Sequence, residues 1–123
     1  KHTPIYSVDY ESIDVSGDAK YLSIGQAQWD DARKDISAKV FRETDSGRWS
    51  PQSEELPLWR VFDLAIMISS VIKNGDGGNG TNCQSPKCVS KTKKGKCVKF
   101  IVDNKDLQER MKELKDLLNS IDL

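Results

Sequence analysis

The stretch that decides the fold reads EELPLWRVFDLAIMISSVI and covers residues 54–72. Residues typical of a helix start lie at or just before its beginning: Ser53, Glu54, Glu55 and Pro57. Asn74-Gly75, which follows Lys73, is typical of a helix end. Between these signals, at about 100° per residue, apolar side chains surround the helix on nearly all sides. Since a short chain can cover one side with its own sheet, we expect part of this helix to contact another subunit.

The residues before this helix predict an antiparallel meander with one buried face. Short strands are expected at residues 4–10, 20–26 and 35–43, with a turn at residues 16–18, a second at 45–47 and a brief fourth strand at 48–50. The clearest is DISAKVFRE, in which Ile36, Ala38 and Val40 alternate with polar or larger residues.

The residues after the helix begin with a loop rich in glycine and lysine, residues 74–96, which we expect to be flexible. CVKFIV, residues 97–102, is typical of a late strand. Asp103 or Asn104 is expected to cap a last amphipathic helix over residues 105–121. This order of elements predicts a single α+β domain spanning residues 1–123.

The net charge of zero excludes global steering toward nucleic acid or membrane. Six lysines and no acid nevertheless lie within residues 81–99. This basic loop is either a solvated segment or a region that attracts phosphates. No segment has the ~20 apolar residues of a membrane span, and no leader pattern opens the sequence.

The three cysteines (Cys83, Cys88 and Cys97) are an odd number around one loop, which favours a reducing, cytoplasmic location. Their spacing lacks the paired knuckles of structural zinc sites, even with His2 as a distant fourth ligand. We therefore expect no metal and no cofactor.

His2 is the single histidine, near the start where poor order is expected, and no nucleophile–base or carboxylate pair can be recognised. The sequence thus predicts a protein that is not an enzyme.

Arg110 projects within the apolar arc of the last helix and has two interpretations. Its apolar stem can cover the core while the guanidinium pairs with Asp106 or Glu113 at the rim. Alternatively, the guanidinium binds a phosphate where subunits meet.

Three segments carry a resemblance to a known family: DAKYLSIGQAQW (residues 18–29), DISAKVFR (35–42) and WSPQSEELPLWRVFDLAI (49–66). Together with the order of elements, they resemble the Thoeris anti-defence proteins, phage-encoded sponges that sequester cyclic ADP-ribose-type immune signals without cleaving them. The resemblance implies a metal-free homo-oligomer, a hexamer built from dimers, with ligand pockets between subunits. In that family the pockets use arginines of the last helix and residues of the preceding loop.

Arg110 is the residue that the resemblance carries over to this chain. The positions one turn away hold Asp106 and Leu114, so either the register differs or lysines such as Lys112 or Lys115 replace a second arginine. The expected ligand site therefore comprises Arg110, Lys112, Lys115, Lys96 and Phe100, with an aromatic ring stacked on a base.

The predicted function is capture of a cyclic nucleotide signal by a cytoplasmic homo-oligomer, with no membrane contact. One alternative is a nucleic-acid or protein interaction module that uses the basic loop. Another is a hydrolase or cyclase that acts on the same kind of signal.

Overall fold

The computed structural model describes residues 1–14, 17–32, 34–50, 54–74 and 78–123. Its elements follow the order β1 (Thr3–Asp9), β2 (Ala19–Gln26), β3 (Ile36–Arg42), β4 (Glu55–Pro57), α1 (Leu58–Asn74), α2 (Lys94–Asp103) and α3 (Lys105–Asn119). The four strands form one antiparallel sheet in the order β1-β2-β3-β4. The predicted α+β class is therefore confirmed. The chain forms two compact units, a sheet unit (Lys1–Phe62) and a helical unit (Asp63–Leu123).

The register of the sheet unit separates two faces. Ser23 on β2 lies opposite Ser7 on β1 and Lys39 on β3, and side chains alternate from this point. One face is apolar and encloses a cavity of about 440 Å³, to which Tyr6, Val8, Leu22, Ile24, Ala38, Val40, Leu56 and Val61 contribute. The opposite face of β2 carries Tyr21, Ser23 and Gly25. A Cβ at Gly25 would overlap the Thr3 carbonyl, so glycine permits the close approach of β1 beside its bulge.

The fourth strand and the helix start differ from the sequence prediction. Trp49 forms an isolated bridge with Glu43, and the fourth strand lies at Glu55–Pro57 instead. Pro57 explains the shift, because the residue before a proline is driven toward extended backbone. Because β4 is an edge strand, it also tolerates the backbone N–H that Pro57 lacks. Helix α1 therefore begins at Leu58, not at residue 54. Three predicted signals, Ser16, Ser53 and Gly75, lie outside the described residues.

The helical unit contains one clear correction. Residues 97–102, predicted as a late strand, lie inside helix α2, which begins within the expected loop at Lys94. A short apolar run cannot be assigned by periodicity alone. Here Cys97, Val98 and Ile101 follow helical spacing, and the lysines around them are good helix formers. The last helix is confirmed: the Asn104 side chain accepts a hydrogen bond from the Leu107 N–H at 2.9 Å.

Helix α1 keeps much of its apolar surface exposed. Its exposed large hydrophobic residues are Leu58, Trp59, Val61, Phe62, Leu64, Ile66, Met67 and Ile68. In its last turns Ser70 is buried. Within the described part of the chain, no helix combines the length and the apolar character that crossing a membrane requires.

Candidate functional site

A buried polar cluster occupies the sheet unit, and its centre is His2. The imidazole Nδ1 lies 3.0 Å from Glu55 Oε1 and 2.9 Å from Ser37 Oγ. The Ser37 hydroxyl donates to the same Glu55 oxygen at 2.7 Å, as does the Gln28 backbone N–H at 2.9 Å. His2 is 2 % exposed and Ser37 is fully buried. The expectation of a poorly ordered His2 is therefore corrected, because the ring is held by β3 and β4.

The second ring nitrogen, Nε2, lies 2.9 Å from the hydroxyl of Ser23, which is 4 % exposed. The tautomer follows from the neighbours of Nδ1. The Ser37 proton is directed at Glu55, and a carboxylate offers only lone pairs, so Nδ1 carries a proton. In the neutral ring Nε2 is then the acceptor, and the Ser23 hydroxyl donates to it. The arrangement places a hydroxyl, a base and an orienting carboxylate in sequence.

Glu55 stays ionised despite its burial. Burial raises the pKa of this carboxyl, but hydrogen bonds from Ser37, the Gln28 backbone and His2 together outweigh it, so the pKa lies below its usual value; protonation of the ring would lower it further. Its side chain is 3 % exposed. Oxygen Oε2 is buried and has no hydrogen-bond partner among the described residues. The three donors all converge on Oε1, which fixes the carboxylate against the ring.

An aromatic cavity of about 290 Å³ opens beside Ser23. Its lining comprises Pro4, Ser7, Tyr21, Ser23, Phe41 and Trp49. The rings are in contact: the Phe41 and Trp49 centroids lie 5.6 Å apart in an edge arrangement, and His2 meets Phe41 at 5.8 Å. The Lys39 ammonium lies 4.8 Å from the Phe41 ring centroid. Ser23 thus belongs both to the polar cluster and to the lining of this cavity.

Sequence reasoning missed this cluster because its members come from distant segments; His2 and Glu55 are separated by 53 positions. The sequence pattern predicts Glu55 at the start of the helix, whereas it lies on β4. One usable signal was present. The small residues Ser23 and Gly25 mark a face of β2 that does not join the apolar core.

The sequence-predicted ligand residues fall into two groups within the helical unit. Arg110, Lys112 and Lys115 line an α3 groove of about 540 Å³, whose other lining residues are Ala65, Ile68, Ser69, Leu107, Met111, Leu114, Leu118 and Asn119. None of these described lining residues is acidic. Arg110 Nη1 donates to the Asp106 backbone carbonyl at 3.2 Å. The groove thus combines three cations with an apolar floor.

The other two predicted residues, Lys96 and Phe100, line a separate depression of about 420 Å³ with Lys99, Asp103 and Asn104. Phe100 is 67 % exposed. Cys88 and Cys97 line a further cavity of about 300 Å³, and all three cysteines are free thiols. In the described ranges no group of three or more His, Cys, Asp or Glu residues is placed to hold a metal ion.

Comparison with known proteins places the chain in one family. No curated protein and no solved structure matches it. The family match covers residues 1–78, a segment that includes His2, Ser23, Ser37 and Glu55 and ends before α2. The chain belongs to the family of unknown function DUF6530.

Proposed function

We propose that the chain binds a small phosphate-bearing nucleotide in the α3 groove and holds it without cleaving it. The observation that carries this proposal is the composition of the groove. Arg110, Lys112 and Lys115 line it above a floor of leucine, isoleucine and methionine, and none of the described residues that line it is acidic. Its volume of about 540 Å³ lies within the range of small-molecule sites, roughly 300–1,000 Å³.

Each part of the groove suits a different part of such a ligand. A guanidinium binds two phosphate oxygens at once, whereas lysine supplies point charges. The apolar floor accepts a base or the carbon face of a ribose. The lining residues include no histidine, carboxylate or thiol that would act as base or nucleophile. This supports capture, not turnover, at this site.

The ligand class proposed is a cyclic nucleotide immune signal of the cyclic ADP-ribose type, as the resemblance to the Thoeris anti-defence sponges implies. Lys96 and Phe100 belong to the proposal as a second contact region. The exposed Phe100 ring supplies a face on which a base stacks, and Lys96 supplies a nearby charge.

The proposal includes a homo-oligomer in the cytoplasm, a hexamer built from dimers. The exposed apolar side chains of α1 support subunit contacts, because exposed apolar patches of this kind mark interaction surfaces. Trp59 at 67 % exposure and Leu64 at 50 % are the strongest examples.

Isothermal titration calorimetry with cyclic ADP-ribose, ADP-ribose and cyclic dinucleotides tests the proposal. We expect one of them to bind, and Arg110→Ala to weaken binding about 10–100-fold, the loss of one charge-assisted contact. Lys105→Ala, an exposed cation on the same helix outside the groove, is the matched control and should bind normally. If every nucleotide fails and an oligonucleotide binds with a steep dependence on salt, the interaction module of the basic loop replaces this proposal.

A further inference from the structure

We propose that Ser23 is an activated nucleophile that accepts an acyl group from a small ester in the aromatic cavity of the sheet unit. His2 would act as its general base and Glu55 would orient the base. This inference concerns a different set of residues from the α3 groove and does not depend on the proposed function.

The geometry meets the two distance requirements for an activated hydroxyl. Ser23 Oγ lies 2.9 Å from His2 Nε2, within the 2.6–3.2 Å reach of a general base. On the far side of the ring, Nδ1 lies 3.0 Å from Glu55 Oε1. Because Nδ1 carries the proton, Nε2 presents its lone pair to Ser23. This is the order of roles in a serine–histidine–carboxylate relay, which recurs on unrelated folds.

The cavity supplies access and a shape for the substrate. Ser23 lines the cavity of about 290 Å³, and its walls are Tyr21, Phe41 and Trp49. This space suits a small acyl group with an apolar or planar part. Ser7, the cross-strand neighbour of Ser23, lines the same cavity. Its hydroxyl is a donor available to the oxyanion that forms on attack.

The reaction is balanced by the groups present together with water. Ser23 Oγ attacks the carbonyl carbon, and its proton moves to His2 Nε2. The tetrahedral intermediate then expels the alcohol, which takes that proton from His2, and the acyl group stays on Ser23. Water, deprotonated by the same nitrogen, then attacks the acyl-serine; the bond to Ser23 Oγ breaks, His2 returns the proton to that oxygen, and a carboxylic acid leaves. Glu55 remains ionised throughout and stabilises the transient imidazolium.

Ser37 provides an internal contrast. It contacts the other ring nitrogen at 2.9 Å, donates to Glu55 and is fully buried. Its hydroxyl therefore faces neither the basic nitrogen nor the cavity. If His2 merely anchors the strands, Ser23 and Ser37 should be equally unreactive. If the inference is right, Ser23 alone reacts.

The test is labelling of the full chain with a fluorophosphonate, which forms a phosphonate ester with an activated serine and releases HF. Intact mass should show one adduct per chain, and peptide mapping should place it on Ser23. Mapping on the unsubstituted protein keeps the test independent of how any variant folds.

His2→Gln should slow labelling roughly 100-fold, the usual contribution of a general base. Ser46→Ala, in an exposed turn, should leave the rate unchanged. Absence of an adduct on the folded protein, or an adduct on Ser37 or another residue, would overturn the inference.

Discussion

Removing the His2 ring should destabilise the sheet unit by about 3–4 kcal/mol, because two buried groups lose their partner. A hydrogen bond from the neutral ring to an ionised carboxylate typically contributes about 1.5–3 kcal/mol. Glu55 would retain its hydrogen bonds from Ser37 and Gln28, so the free-energy cost of losing the bond from His2 falls at the lower end of this range. The Ser23 hydroxyl would lose its acceptor at Nε2, which adds about 1–3 kcal/mol unless water enters from the cavity.

Urea unfolding followed by tryptophan fluorescence measures this difference, since Trp49 contacts Phe41 in the same unit. Lys1→Ala, the exposed neighbouring position, is the matched control and should change stability by less than about 0.5 kcal/mol. A double-mutant cycle with Glu55→Ala should give a coupling energy above about 1 kcal/mol. If His2→Ala behaves like Lys1→Ala, the ring does not hold the strands together and the description of the cluster is wrong.

Three further predictions address the pH dependence, the second helix and the assembly. The lowered pKa of Glu55 stabilises the fold above its ordinary value of 4.5, and this contribution is lost as the pH falls through the native pKa. Urea midpoints of the wild type should therefore drop below pH 4.5 more steeply than those of Glu55→Gln; parallel curves would contradict the assignment. Gly95→Ala should raise stability by about 0.5–1 kcal/mol in thermal melts, because Gly95 lies in α2 and an added Cβ would meet no atom within 4 Å. Destabilisation there would argue against the helix. Ile66→Glu on the exposed α1 surface should convert an oligomer to smaller species in light scattering at micromolar concentration, whereas Lys73→Glu at the helix end should not. A wild type that is already monomeric would remove the subunit-contact argument.

Local patterns were sufficient for the first three strands and for the last helix. The alternation in residues 36–40 and the turn residues between strands placed β1, β2 and β3 within one or two residues of their observed bounds. Asn104 caps α3 as its side-chain chemistry predicts.

The errors occurred where local patterns compete. Pro57 is acceptable both in a first helical turn and on an edge strand. In the structure it pairs with Ser37 on β3, and it therefore lies in the strand. Val98 and Ile101 favour strands by propensity, but they lie in helix α2. In both cases the deciding information lies beyond the local sequence.

The polar cluster of the sheet unit could not be predicted for a related reason. Ser23, Ser37 and Glu55 become neighbours of His2 only after β2, β3 and β4 are in register. No spacing in the sequence encodes that contact. By contrast, Lys112 and Lys115 lie three positions apart on one helix, so their proximity follows from sequence separation alone.

Native mass spectrometry of the protein after incubation with cyclic ADP-ribose and cyclic dinucleotides tests the proposal of ligand capture most directly. The account predicts an oligomer that carries a nucleotide of intact mass, released unchanged on heating and lost in Arg110→Ala. A protein that carries no nucleotide, or one that releases a cleaved product, would contradict it.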